Sequence, residues 1–331
     1  MSNYIAFDLE GTLSPQDNTC DLMRLFPEGN KIFEVISRYE NLLTTKDESY
    51  YEPGDTLAFI APFLILHNIT EADIARFASE ATLIQGALDL ISSLLTSDWR
   101  VFCITPACEQ YAIHITHKLG IYAHNIACTP FPLDTIRLAL TGEETDLLHR
   151  TEKNTLILNA TDDTGIKQTL DKFFRVELPQ TTVGKLIQQV KPNGGQRKTV
   201  ALKRFADKYQ EPLSKWVVVG DSIADAHMLA EVDREGGLAI AFNADRQALS
   251  HATMSLASTH LIDLKDVLAA WKKGQRKEIK RIAQEREKRS GTGDRANFHW
   301  LAEHDRTRID DVVQLHQRFR HLVRQSAGKV S

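Results

Sequence analysis

The sequence predicts an α/β protein built on a mostly parallel sheet, with an inserted helical segment and a helical C-terminal extension. Three observations support this. Short apolar runs at 4–7, 101–104, 155–158, 173–178, 216–219 and 238–242 read as strands. Helix-type patterns separate several of them, an alternation that gives parallel strands with helices on both faces. The stretch 16–95 carries helical patterns and no convincing strand.

The elements follow in chain order. Tyr4-Ile5-Ala6-Phe7 opens the sheet. The 16–95 segment reads as a helical cap inserted between the first and second core strands. Its clearest runs are Asn30–Leu43 and Thr70–Leu95, the latter opened by the capping-box-like Thr70-Glu71-Ala72-Asp73. Thr129-Pro130-Phe131-Pro132 marks a loop that begins a second insert over 129–190. The catalytic core is then expected at 1–15 and 96–270, and the extension at 271–331. In the tail, Leu264, Leu268, Trp271, Ile279 and Ile282, then Phe298, Leu301, Ile309, Val312, Phe319 and Val323, recur at steps of three, four and their sums. That periodicity predicts two amphipathic helices.

Composition limits the function classes. The 331 residues carry a net charge of -4, which gives no global reason to bind nucleic acid. Residues 271–331 hold 16 Lys/Arg against 8 Asp/Glu, a net of +8, so the remainder is at -12. The basic tail reads as a solvated helix face, with an acidic or nucleic-acid partner as the other reading. Its apolar stripe needs a surface, which suggests assembly: a homodimer or a protein partner, or the tail folding back on its own subunit. No run approaches the roughly 18 apolar residues of a membrane span. Cys20, Cys103, Cys108 and Cys128 lack metal-ligand spacing. Free thiols in a reducing, cytoplasmic setting are expected.

The chemistry lies just beyond two apolar runs. Asp8-Leu9-Glu10-Gly11-Thr12-Leu13 follows the first strand, and Gly220-Asp221-Ser222-Ile223-Ala224-Asp225 follows Trp216–Val219. In open α/β sheets ligands bind beyond the carboxyl ends of the strands, so the two acidic loops can meet around one cation. Asp8 is the candidate nucleophile, able to form an aspartyl-phosphate. Mg²⁺, which prefers hard oxygen ligands, is the expected cofactor. Asp221 is its second carboxylate ligand, and Asp225, one helical turn on, orients a ligand water. Glu10 is the candidate acid/base. Thr105 ends a strand where a hydroxyl can meet a phosphoryl oxygen, and Lys198 can neutralise charge near Asp8.

These elements, in this order, resemble the haloacid-dehalogenase-like hydrolases of the phosphoserine phosphatase type. The ordered set is Asp8–Leu13, Thr105, Lys198 and Gly220–Asp225. The resemblance implies a Rossmann-like core, Mg²⁺, an aspartyl-phosphate on Asp8, metal contact through the Glu10 backbone carbonyl, and a helical cap. It implies Mg²⁺-dependent hydrolysis of a small-molecule phosphomonoester. Phosphotransfer through the same intermediate, or a non-catalytic accessory role, are the alternatives. Asp17 lies where related phosphatases place an acid that contacts a substrate amine; a linker acid beside Asn18 and Asp21 is the plainer reading. The spacing of Ile104-Thr105-Pro106 before Glu109-Gln110-Tyr111 also resembles the group named for subunit R of energy-converting hydrogenase A. That name describes an association and not a reaction.

Two positions depart from the phosphatase pattern. Glu10 stands where Asp is usual and is longer by one carbon–carbon bond, about 1.5 Å. This bears on the partition between water and another acceptor. Pro106 has no backbone N–H to offer a phosphate, and the Ala107 amide is the expected substitute. Lys198 competes with Lys191, Lys203 and Arg197, and its interval to Asp221 decides for it. His114 and His117 share a helical face without a third ligand in view, and His227 reads as packing or surface.

Overall fold

β1 shows why the sheet forms where it does. Tyr4, Ile5, Ala6 and Phe7 are apolar and all buried, as in a parallel strand covered on both faces. The computed structural model describes residues 3–45, 51–289, 296–302 and 309–328. Its strands are β1 (Asn3–Phe7), β2 (Trp99–Cys108), β3 (Ile126–Thr129), β4 (Trp216–Gly220), β5 (Leu238–Phe242), β6 (Met254–Ala257) and β7 (Asn297–Trp300). They form one sheet in the order β3-β2-β1-β4-β5-β6-β7. All neighbours are parallel except β6 and β7. The fold is therefore α/β and Rossmann-like.

Alternation along each strand divides the core between the two faces. Ile5, Phe7, Val101, Cys103, Val217, Val219 and Ile240 pack on one side. Tyr4, Ala6, Phe102, Ile104, Trp216, Val218 and Ala241 pack on the other. The strand order reverses between β1 and β4, the place where such sheets leave a crevice. Phe7 pairs with Val219, and the Asp8 amide donates to the Val219 carbonyl at 2.9 Å. The loops after β1 and β4 are thereby set side by side.

Between β1 and β2 the described elements are helices: Asn18–Met23, Gly29–Thr45, Thr56–Leu66, Glu71–Glu80 and Ala87–Leu95. Thr56–Leu66 is apolar nearly all round and accordingly buried. Among the described residues no single helix is long and apolar enough to cross a membrane. Thr70 and Asp73 form the expected capping box. The expected helix over Thr70–Leu95 is instead two, because Gly86 takes a left-handed φ of 76° and the segment before it is held in extended form. The Ile84 amide donates to the Leu13 carbonyl, and Gln85 bridges to His260.

Two expected strands are helical. Residues 155–158 include the end of helix Gly142–Leu156, and 173–178 fall in a π-helical turn at Lys172–Glu177 and its continuation. The cause is local. The capping box Thr141/Glu144 starts a helix whose Leu147, Leu148, Thr151 and Thr155 share one buried face, while Ile157 and Val176 point to solvent. A short apolar run alone does not distinguish strand from buried helix.

The tail also differs from an all-helical extension. Lys265–Arg289 is helical with a break at Gln275 (φ 47°), but Phe298 lies in β7, which pairs antiparallel with β6. The C-terminal helix Ile309–Gly328 follows. Phe298, Trp300, Val312, Phe319 and Val323 are all buried against the chain's own core. The burial that the apolar stripe requires is met within the subunit.

Truncating Phe319, which is fully buried, should lower unfolding free energy by about 3–5 kcal/mol in urea titrations. Leu138→Ala, at a side chain 87% exposed, should stay within about 0.5 kcal/mol of wild type. Equal effects would mean that the C-terminal helix is not docked as described.

Candidate active site

Asp8 is the first residue past β1 and is almost fully buried. Asp221 is the first past β4, and Asp225 begins the next helix one turn later. One carboxylate oxygen from each of Asp8, Asp221 and Asp225 lies within 4.8 Å of the others. Among the described residues this is the one acidic, His or Cys cluster with metal-ligand spacing.

Lys198 closes the cluster from behind. It sits in the first turn of helix Gln196–Tyr209 and is fully buried, with its Nζ 2.6 Å from Asp8 Oδ1 and 2.6 Å from Asp225 Oδ1. The Gly194-Gly195 pair makes this approach possible. Gly195 adopts φ +53°, and a Cβ on Gly194 would collide with the Pro53 backbone. Asp225 is held on its other oxygen, Oδ2, by the amides of Asp221 (3.0 Å) and Ser222 (3.1 Å). Its helix-capping and cluster roles coexist. Gly11, at φ +71°, turns the loop so that its bare Cα faces the Asp221 carboxylate, where any side chain would clash.

Glu10 approaches from the loop after β1, and Asp17 from the start of the helical segment between β1 and β2. The Glu10 carboxylate accepts the Asn18 amide, and Asp17 caps helix Asn18–Met23 by accepting the Cys20 amide at 3.0 Å. Both line a cavity of about 220 Å³, together with Asp8 and Asp221. The remaining wall is mostly polar and includes Ser37, Glu40, Asn41, Thr44, Tyr51 and Thr56. Glu40 accepts from the Thr56 hydroxyl at 2.7 Å and from the Tyr51 hydroxyl at 3.2 Å. Thr105 is fully buried at the end of β2. Its oxygen accepts the Ala107 amide at 3.1 Å. The amide expected to substitute for the missing Pro106 N–H is therefore already engaged, and Pro106 itself lines the cavity. His227 bonds to Gln196 at the exposed surface.

The electrostatics follow from burial. Desolvation and the neighbouring Asp225 push Asp8 up to about 8, against the pull of Lys198. Desolvation likewise moves Asp221 up to about 6, with Arg320 opposing. Burial disfavours the Lys198 charge, but Asp225 and Asp8 hold the ammonium above its ordinary range. Burial, then Asp17 and Asp8, raise the Glu10 carboxyl well above the usual carboxylate range. Three buried carboxylates thus face one lysine and one arginine, and two of the three are driven toward their neutral forms. A hard divalent cation fits this donor set, because it would add the positive charge that the carboxylates lack.

No family model matches the chain, and no curated protein matches its sequence. Solved structures do match. A gene product of Archaeoglobus fulgidus superposes over 99% of this chain and 98% of its own, with TM-score 0.84 and 22% identity. A phospho-aspartyl intermediate analogue of phosphoserine phosphatase superposes over 80% of this chain and 98% of its own, with TM-score 0.53 and 16% identity. These likenesses show the fold, an α/β Rossmann-like sheet shared with both structures.

Sequence reasoning missed Glu40, Arg320 and Arg324, all of which line the cavity. Glu40 carried no signal beyond its place in a cap helix. Arg320 did carry one. It falls one turn after the buried His316 and one before Arg324, on the edge of the apolar stripe, where a cation is out of place on a solvated face.

Replacing Lys198 by Met should destabilise the protein by about 3–5 kcal/mol near pH 8, because it strands buried carboxylates without their cation. The sign of the pH effect follows from Asp8, whose carboxyl is raised. A carboxyl held above its unfolded value costs stability as pH climbs past that value, so the deficit should shrink toward pH 5. Urea unfolding of both proteins across this range is the check. A deficit that grows on acidification would contradict the assignment.

Proposed function

We propose that this protein is a Mg²⁺-dependent hydrolase of small, polar phosphomonoesters that works through an aspartyl-phosphate on Asp8. The observation that carries the reading is the buried Asp8–Asp221–Asp225 cluster with Lys198 bridging Asp8 and Asp225.

Mg²⁺, held by Asp8, Asp221 and the Glu10 carbonyl with Asp225 behind, would supply the charge that lets an anionic phosphate approach an anionic nucleophile. The chain's own groups do the rest. An Asp8 carboxylate oxygen attacks phosphorus, and the bond from phosphorus to the ester oxygen breaks. Glu10, whose carboxyl burial raises well above the usual carboxylate range, gives its proton to that leaving oxygen. In the second half Glu10, now ionised, takes a proton from water as the water oxygen attacks phosphorus, and Asp8 leaves as carboxylate. Lys198 holds Asp8 in place and offsets charge. The Thr105 oxygen accepts from the Ala107 amide, and its O–H would donate to a phosphoryl oxygen. The polar cap-side wall favours a substrate with hydroxyl or amine groups over a lipid or nucleobase.

Asp8→Asn should lower phosphatase turnover by about 10⁴-fold or more, as for other essential nucleophiles. Thr105→Ala should cost about 10²-fold, comparable to one lost oxyanion donor. Activity should vanish in EDTA and return with Mg²⁺. A panel of metabolite phosphates assayed for released phosphate tests all three, and full activity in the Asp8→Asn protein would remove the mechanism.

The longer Glu10 side chain favours phosphotransfer as a second reading. Under hydrolysis, phosphate and alcohol should form in equal amounts whatever hydroxyl acceptor is added. Under transfer, an added acceptor such as homoserine should gain phosphate at the expense of the free ion. Quantifying both products decides between them.

A further inference from the structure

The tail, whose apolar stripe suggests assembly, contributes Arg320 to the cavity wall. We infer that Arg320, on the C-terminal helix Ile309–Gly328, is a positioning residue for the Asp221 carboxylate. On this account the basic tail forms a working wall of the active site. The inference rests on the metal-dependent reading above and adds to it a residue from outside the motif loops.

The helix is held against the core by two independent devices. Val312, Val313, Phe319 and Val323 are buried along one face. His316, fully buried on the same face, accepts the Ala244 amide through Nδ1 at 2.9 Å, just beyond β5. One turn later the Arg320 guanidinium forms an ion pair with Asp221 Oδ2. Apolar packing does not require a cation there. A half-buried arginine gives up hydration that one carboxylate only partly restores, and the Arg320 Nε, itself buried, has no hydrogen-bond partner. A leucine or methionine would dock the helix at lower cost, so the charge calls for a different explanation.

The geometry at Asp221 provides one. Its backbone carbonyl accepts the Asp245 amide at 2.8 Å, which fixes the main chain. Its carboxylate is confined on one side by the bare Cα of Gly11 and tied at Oδ2 by Arg320. The other oxygen, Oδ1, is left for a cation. A ligating carboxylate that is itself hydrogen-bonded is held in one orientation, and loss of such an outer partner typically weakens metal affinity by about 10–100-fold. Arg324, one turn further along, lines the same cavity and extends the wall.

The test measures metal binding directly, with Mn²⁺ as probe and free Mn²⁺ counted by electron paramagnetic resonance on the full-length chain. Arg320→Met, which keeps an unbranched apolar stem and removes the charge, should raise the Mn²⁺ dissociation constant by about 10–100-fold. Arg320→Lys keeps the charge without the planar fork; it should fall between Arg320→Met and wild type, and it serves if the Met variant does not fold. Asp221→Asn should lose binding altogether. Wild-type affinity in both Arg320 variants, with binding lost in Asp221→Asn, would overturn the positioning role and leave the metal reading intact. Tighter binding in Arg320→Met would overturn it too, by making Arg320 a competitor of the cation. If Asp221→Asn binds as wild type does, the metal reading and this inference fail together.

Discussion

A fully buried ammonium between two buried carboxylates is the arrangement on which the rest of this site depends. Lys198 reaches Asp8 and Asp225 at the same distance, 2.6 Å. Each partner comes from a different part of the chain: the end of β1, the helix after β4, and the helix launched from Gly194-Gly195. Without the ammonium, three carboxylates would share a dry crevice, and repulsion and desolvation would drive them to their neutral forms. With it, Asp8 and Asp221 are still raised by burial, and a divalent cation would add the positive charge that they lack. The glycines, the Asp225 capping bonds and the burial of Lys198 all serve to let these groups approach.

The sheet makes that approach possible. Parallel pairing of β1 with β4 in register brings Asp8 and Asp221 to one edge of the crevice, at the point where strand order reverses. The cap-side wall is polar, and the Glu40 carboxyl there is pushed up to about 8 by burial despite donors from Thr56 and Tyr51. The tail closes the other side. β7 adds an antiparallel edge to the sheet, and the C-terminal helix carries Arg320 to Asp221. The loops after β1 and β4, the helices between β1 and β2, and the C-terminal helix thus contribute to one small volume.

The central strands and the two acidic loops were legible in the sequence because the signal there is physical and local. A strand buried on both faces reads as a continuous apolar run, and the loop at its carboxyl end borders the crevice where ligands bind in such sheets. Lys198 was separable from Lys191, Lys203 and Arg197 only by its interval to Asp221. The short edge strands were not legible. β3 and β6 have four residues each, too few to set a period, and β7 was absorbed into a helical pattern because Phe298 and Leu301 also fit a step of three. The runs at 155–158 and 173–178 misled for the opposite reason, since they are apolar enough for strands but continue helices begun upstream. Arg320 was hidden by its neighbours: among many basic residues in the tail, helical register is what marks Arg320 and Arg324 as facing the cavity.

The central claim is that Asp8 becomes covalently phosphorylated during turnover. Borohydride reduces an acyl phosphate to an alcohol and leaves a free carboxylate untouched, so it reads that claim at the residue itself. The protein would be quenched during turnover of a phosphomonoester with Mg²⁺, reduced, digested and mapped by mass spectrometry. The account predicts that the peptide holding Asp8 carries the reduced side chain, and only when substrate and Mg²⁺ are both present. Reduction at a different residue, or an unreduced Asp8 under demonstrated turnover, would contradict it.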